Sequence, residues 1–362
     1  MSVYSLVRKV FSGSTSWRMK EASLYVFEQL LVDFAANEHQ IDAKTTFTIM
    51  DYIAFCLSQD NVFLRARGLI MAGTLCKAIA DTVTLQESST IFFLQTLQAA
   101  RSDVSVIVRA SALRALASFC LKFPTTLTKP HQNGIIAAIA SFFPMSTTES
   151  LSIIAEATQA SVALDYSIVT DQECPVVDIL LGVAGKTPRD VLVIDIIRDT
   201  LTGIVKGCQG KVGLLCQRLM PTLAGAVNVK GEVADTVKVV AIDLLCTILE
   251  DAPVPFSPDV IDACLNDVSL LASTSEDHEI SQASTQCLET LVTRSSSQVM
   301  HWYGFVDSSN QRHNEQGQSG FNVVIGVVEK LLNPVLSDSA AVYVGKLALA
   351  LLEHVSQFKN LG

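Results

Sequence analysis

A regular beat constrains this chain more than any other feature. Apolar helical segments begin at Trp17 ("WRMKEASLYVFEQLLVDFA"), Asn61 ("NVFLRARGLIMAGTLCKAIA") and Asp103 ("DVSVIVRASALRALASFC"). Others begin near Thr148 and at Arg189, Asp235, Asp277 and Asp338. The successive gaps are 44, 42, 45, 41, 46, 42 and 61 residues. Within the third segment Val106, Ala110, Leu113, Ala117 and Cys120 recur every three or four positions, the period of a helix face. The β-branched run "VSVIV" is therefore no strand, which would alternate every second residue. Ser102 and Asp103 stand where side-chain oxygens can accept the first free amides of that helix.

Second helical segments fill the intervals, near Lys44–Ser58, Thr84–Ala100, Asn133–Phe143, Pro175–Ala184, Lys211–Val227, Pro258–Ala272 and Phe321–Leu332. A helix pair of this size cannot bury its own apolar faces and must stack on its neighbours. HEAT and armadillo units repeat at about 40–47 residues, and six of the seven gaps fall in that window. The expected fold class is all-α, a right-handed α-α superhelix of the ARM/HEAT-repeat type. It would hold about seven to eight helix pairs in a single array over residues 1–362. Pro221 in "RLMPTLAGAV" should kink or break its helix, because proline lacks the amide and crowds the preceding turn. The excess in the last gap falls in Tyr303–Gly320 ("YGFVDSSNQRHNEQGQSG"), which is polar and aperiodic and reads as an exposed insertion loop.

Composition agrees with a stacked array. The chain is 49% hydrophobic and 17% charged, with a mean hydropathy of +0.38, against about 25% charged in typical soluble domains. The apolar runs, such as Ile135–Phe143, fall short of the roughly 18 residues a membrane-spanning helix needs, and no signal peptide is visible at the start. The net charge of −10 argues against direct nucleic-acid binding, which wants a basic face, and suits a basic protein partner. Nine cysteines without a C-x-x-C pair suggest a reducing compartment and no disulfide framework.

Catalytic signatures are missing. "GIVKGCQGKVG" (Gly203–Gly213) resembles a phosphate loop only loosely: Val205 stands where glycine is needed and Val212 where a magnesium-binding hydroxyl is needed. A helix ending at Gly207, followed by a turn, accounts for it. The six histidines, His39, His131, His278, His301, His313 and His354, lack the i, i+4 partner of a zinc helix. There is no G-x-S-x-G elbow. The expectation is a protein that is not an enzyme and needs no cofactor or metal.

Particular segments resemble a known family. "TSWRMKEASLYVFEQLL" (Thr15–Leu31) resembles the "W-R-x-x-E-A" helix of importin-β (karyopherin-β) receptors. "VRASALRALASFC" is similar to the second HEAT helix, its "D…VR..A..AL" pattern carried by Asp103, Val108, Arg109, Ala112 and Leu113. "ECPVVDILL", "CQGKVGLLCQRLMPTLAGAV", "VAIDLLCTILEDAPVPFS" and "QVMHWYGF" resemble, in the same order, the middle portion of the importin-nine branch and its yeast counterpart. The resemblance implies a nuclear import receptor for basic cargo: core histones, ribosomal proteins, a TATA-binding factor and actin. It implies response to the Ran GTPase, contact with nuclear pore proteins, and passage between cytoplasm and nucleus. It also implies a segment of a longer receptor, without the repeats that hold Ran. The competing expectation is a HEAT scaffold of another kind, such as a phosphatase scaffold, an adaptor subunit or an exportin.

Two sets of residues follow from these readings. Glu173, Glu232, Asp235, Glu276 and Asp277 lie near the second helices and are the candidate acids for attracting basic cargo. Asp60, Asp103, Arg67 and Arg109 are the candidate rungs of an aspartate–arginine ladder between repeats. Arg109 is expected to reach Asp60, Asp103 or an acid within Thr147–Glu149. Apolar faces should be exposed at the two ends of the array, around Leu6, Val10, Leu347 and Leu351.

Overall fold

In the computed structural model of the chain, the described residues are 3–36, 41–78, 86–228, 232–302, 305–306, 312–313, 319–332 and 338–359. They divide into two compact units, Met1–Asp165 with Asp178–Val183, and Tyr166–Val177 with Ala184–Gly362.

The first unit runs α1 (Val3–Gly13), α2 (Trp17–Ala36), α3 (Ala43–Leu57), α4 (Val62–Ala78), α5 (Gln86–Ser102), α6 (Val106–Lys122), a single turn α7 (Thr125–Thr128), α8 (Gln132–Phe142) and α9 (Leu151–Val162). Helices α2, α4, α6 and α9 pack each on the next and form the second layer; α1, α3, α5 and α8 lie against them as the first layer. A second-layer helix thus has neighbours on several sides. That explains the low charge content: on α6, Val108, Ala112, Leu113, Ala115, Leu116 and Phe119 are all buried. Helices α4 and α6 approach so closely that a Cβ at Gly73 would lie 2.8 Å from the Ala115 Cα. Across the layers, Phe93 of α5 meets Phe119 of α6 edge-on at 5.6 Å.

The second unit holds α11 (Val191–Gly207), α12 (Val212–Val227), α13 (Asp235–Asp251), α14 (Pro258–Asp262), a π-helical turn (Ala263–Val268), α15 (Ser269–Thr274), α16 (His278–His301), α17 (Gly320–Leu331) and α18 (Asp338–Lys359); α10 (Val176–Lys186) gives residues to both units. Here α11, α13, α16 and α18 stack in sequence, while α12 packs on α14, and α15 on α17. The fold class is all-α, the ARM/HEAT-type α-α superhelix. Each second-layer helix starts at or within three residues of its expected position; each expected partner segment is helical, Pro258–Ala272 being split into α14, the π-turn and α15, with residues 84–85 outside the described ones.

Several local expectations give way. Helix α1 is not among the expected segments; Val7 and Phe11 are buried there, and Phe11 lies 4.1 Å from the Tyr52 ring of α3. Helix α12 runs unbroken through Pro221, whose side chain is exposed, so the bond it cannot make is lost at the surface. Interruptions fall instead at the π-turn and at Ser295 of α16, with φ −143° and ψ 45°. The cap of α6 is Ser105, which accepts the Val108 amide, while Asp103 accepts the Ser105 amide two residues earlier. Of Tyr303–Gly320, residues 305–306 and 312–313 pair as a two-residue antiparallel ladder; most of the expected insertion loop lies outside the described residues. Leu6 is exposed and Val10 partly so, but Leu347 and Leu351 are buried. Helix α18 packs on α16, and on α18 Val344, Leu347 and Leu351 are the buried apolar face, so Leu349 and Leu352 are the exposed leucines there.

The expected ladder needs the largest correction. Arg109 is buried and makes no salt bridge among the described residues; its Nε donates to the Ala100 carbonyl (2.9 Å) and its Nη2 to Ser141 Oγ (2.7 Å). Asp103 pairs with Arg65 rather than Arg109, at 3.2 Å. Asp60 contributes its backbone carbonyl, which accepts from Arg65 Nη1 at 2.8 Å, and its side chain is exposed. Arg67 faces α2, donating to Glu21 Oε1 (2.9 Å) and pairing with Glu28, with its guanidinium 5.0 Å from the Tyr25 ring centroid. A recurring arrangement in both units is arginine to backbone carbonyl. Arg218 donates to Val169, Asp171 and Cys174, and Arg294 to Glu250 and Ala252. The last carbonyls of a helix have no intrahelical donor, and a cation is favoured at that end by the helix dipole. Ala100 and Glu250 are such carbonyls, while Arg218 satisfies carbonyls of a 3-10 turn and of the bend after it.

Candidate functional site

Three consecutive second-layer helices of the second unit, α11, α13 and α16, begin along one edge. Each carries an acid at its cap or in its first turn, because acids suit helix N-termini, where free amides and the macrodipole favour negative charge. Asp190 caps α11, accepting the Val193 amide at 3.2 Å. Asp235 opens α13 and is held by Lys238 at 2.9 Å. Asp277 caps α16, its Oδ1 accepting the amides of Glu279 (2.8 Å) and Ile280 (3.2 Å).

Between these ends lies an open groove of about 740 Å³. Its walls include Glu276, Asp277 and Glu279 at the start of α16, Thr236 and Val239 on α13, and Arg189 and Val191 at the start of α11. Three carboxylates thus face one guanidinium. Glu276 and Glu279 are exposed and form no salt bridge among the described residues, so both are free to meet a partner. Asp277 is committed through Oδ1 to its cap. Val191, 69% exposed, adds an apolar edge beside the charges.

The structure brings Glu276 and Asp277 into one groove and places Asp235 beside its lining residue Thr236. Glu232 is exposed just before α13 and does not line the groove. Glu173 lies apart, on a turn where its amide donates to Asp171 Oδ1. The groove adds Glu279, Arg189 and His278. Glu279 had a sequence signal, as an acid in a first turn; the contribution of Arg189 depends on packing between helices that are far apart in the chain.

Among the described residues no three His, Cys, Asp or Glu side chains are grouped to hold a metal ion. All nine cysteines are free thiols. Burial pushes Cys56, Cys76 and Cys120 up to about 12, which leaves little thiolate for nucleophilic work. No helix of the described residues is long and apolar enough to cross a membrane.

Comparison with known proteins gives a consistent result. Residues 1–188 match the family model for importin-9 central HEAT repeats. Importin subunit beta-5 of Schizosaccharomyces pombe is 22% identical over 353 residues, covering 97% of this chain and 33% of that protein. The chain therefore spans about a third of the length of this curated relative. Two crystal structures of Kap121p share the fold. The one bound to Ste12p matches with a TM-score of 0.53 and 11% identity, covering 95% of this chain and 36% of that one. The other has a TM-score of 0.52 and 10% identity, over 96% and 41%.

Proposed function

The chain belongs to the importin family, in the group with importin-9 central HEAT repeats, and from that premise we propose that it binds basic protein cargo through the acidic edge of its second unit. As an importin segment it is a transport-receptor part and not an enzyme. The observation that carries the cargo reading is the groove at the starts of α11, α13 and α16, where the exposed carboxylates of Glu276 and Glu279 stand free beside an apolar edge. Glu232, Asp235 and Glu173 extend the acidic field outside the groove. Such a field steers a basic partner and raises its on-rate more than it adds affinity. Core histones and ribosomal proteins are the cargo class the reading names. The Kap121p structure with Ste12p bound supports protein cargo for this fold. Ran-dependent release, contact with nuclear pore proteins and passage between cytoplasm and nucleus belong to this proposal at the level of the longer receptor. Ran would act there by binding one curvature of the array better than another.

The test is binding of a core-histone dimer to the immobilised chain, with salt raised from about 50 mM to about 300 mM across the range where screening shortens to under 10 Å. The parent should lose affinity steeply as salt rises. Glu276→Gln with Glu279→Gln should weaken binding at low salt while leaving the Asp277 cap intact. Salt-independent binding, or an unaffected double variant, refutes the reading.

A further inference from the structure

One turn of the second unit sets an acid-flanked hydroxyl against an arginine. Tyr166–Thr170 form a 3-10 turn, and the chain then bends through Asp171, Gln172 and Glu173, all exposed. Thr170 ends the turn, and its Oγ1 donates to the Ser167 carbonyl at 2.7 Å in an exposed bond. Acids follow it at the first and third positions, Asp171 and Glu173. Within the bend, the Cys174 amide donates to the Asp171 carbonyl (3.1 Å) and the Glu173 amide to Asp171 Oδ1 (3.0 Å). From α12, Arg218 Nη1 donates to the carbonyls of Val169 (3.2 Å) and Asp171 (3.0 Å), and Nη2 to that of Cys174. The two acceptors of Nη1 are the residues on either side of Thr170, so a full positive charge stands beside the backbone that carries this hydroxyl.

We propose that Thr170 is a phosphorylation site for an acid-directed protein kinase and that Arg218 receives the phosphate. Kinases select substrates by charge pattern, and carboxylates at the first and third positions after the hydroxyl supply one on an exposed turn. In the transfer, Thr170 Oγ1 attacks the γ-phosphorus of ATP. The new O–P bond forms as the bond to the ADP oxygen breaks, ADP leaves, and the hydroxyl proton passes to the kinase's catalytic aspartate. The ester oxygen cannot donate, so the bond to the Ser167 carbonyl is lost. In its place stand three acceptor oxygens and a charge of about −1.5 to −2 at neutral pH. Asp171 and Glu173 repel that charge whether or not the chain is folded. Arg218 attracts it only in the fold, because α12 brings the guanidinium there from a distant part of the chain. A guanidinium offers parallel donors that match phosphate oxygens, and a dianion draws it more strongly than a carbonyl dipole does. Arg218 therefore exchanges carbonyls for phosphate oxygens, and the modification ties the turn to α12 through an ion pair. The inference does not rest on the cargo reading, whose groove none of these residues lines.

The experiment incubates the full chain with ATP and casein kinase 2, an acid-directed kinase, and maps phosphate by mass spectrometry. A synthetic peptide of residues 166–175 (YSIVTDQECP) is treated in parallel. Thr170 should be phosphorylated in both, and Thr170→Val should lose the phosphate at this position. Asp171→Asn with Glu173→Gln should slow the reaction there about tenfold, the size of two partly screened charge pairs. That double variant keeps the turn, since an asparagine Oδ1 still accepts the amide of residue 173. No phosphate on Thr170 of the folded chain, or an unchanged rate in the double variant, overturns the site. The role of Arg218 is read by phosphorus NMR. The second ionisation of a phosphate ester lies near pH 6, and a guanidinium beside it favours the dianion. Asp171 and Glu173 act alike in chain and peptide, so comparing the two isolates the contribution of Arg218. The midpoint in the folded chain should lie below that of the phosphopeptide by about 0.5. An equal or higher midpoint overturns the assignment of Arg218, and the comparison needs no Arg218 variant that could misfold.

Discussion

Replacing Arg109 tests the arginine-to-carbonyl arrangement most directly. The side chain is 9% exposed and bridges three helices, with Nε on the Ala100 carbonyl of α5, Nη2 on Ser141 Oγ of α8, and its guanidinium 5.6 Å from the Phe142 ring centroid. Ser141 keeps a bond when Arg109 is removed, since its hydroxyl donates to Ala138 O. The Ala100 carbonyl loses this donor, at a residue with no exposed surface. An orphaned buried acceptor costs about 1–3 kcal/mol and a charge-assisted bond is worth about 1.5–3 kcal/mol; the ring contact adds about 0.5–1 kcal/mol. Recovered hydration of the guanidinium offsets part of this sum. Arg109→Ala should therefore destabilise the first unit by about 3 kcal/mol, and Arg109→Met, which keeps the stem, by about 2 kcal/mol. Hydrogen exchange read peptide by peptide suits a stacked array, in which helices open locally. Amides of α5, α6 and α8 should exchange about 100-fold faster in Arg109→Ala, at 1.4 kcal/mol per factor of ten, with α13 and α16 unchanged. Protection within about threefold of the parent refutes this reading. A double-mutant cycle separates it from an aspartate ladder: Asp103→Asn should couple to Arg65→Ala and not to Arg109→Ala.

Three further outcomes are expected. Arg67→Ala strands Glu28, which is 7% exposed, and should cost about 3–5 kcal/mol as a buried pair broken on one side, read as a fall in the α2–α4 opening energy. Gly73→Val places a Cβ 2.8 Å from the Ala115 Cα and should destabilise by about 1–3 kcal/mol through overpacking; a thermal melt matching the parent would count against such close approach. Asp243 has its carboxyl raised above 3.8 by burial, with Glu250 adding to the rise and Arg198 opposing it. A raised folded value favours the fold below 3.8 and works against it as pH rises through the folded value, so Asp243→Asn should melt above the parent at neutral pH, with the gap closing toward pH 4. A gap that widens in acid would reverse the sign of this argument.

The array was legible because each repeat repeats the same physical need. A helix pair that must be covered on several sides writes an apolar period every forty-odd residues, and α2, α4, α6, α11, α13 and α16 start where that period places them. Helix α1 escaped, although Val3, Leu6, Val7, Val10 and Phe11 have helical spacing. Its 11 residues make a short helix, and Phe11 is buried by α3 some forty residues on. At the acidic edge, Glu276 and Asp277 were legible as candidate acids. Their union with Arg189 and Val191 was not, since it depends on how α11, α13 and α16 stack.

The sequence by itself determined the fold class, the repeat and the abundance of acids, because periodicity and composition are local properties. Tertiary structure decided what each charge does. Arg109 went to a carbonyl because the end of α5 presents one within reach, and Arg65, two positions before Arg67, took Asp103. Side-chain partners are chosen by distances of a few ångströms between helices, and no linear pattern encodes those distances.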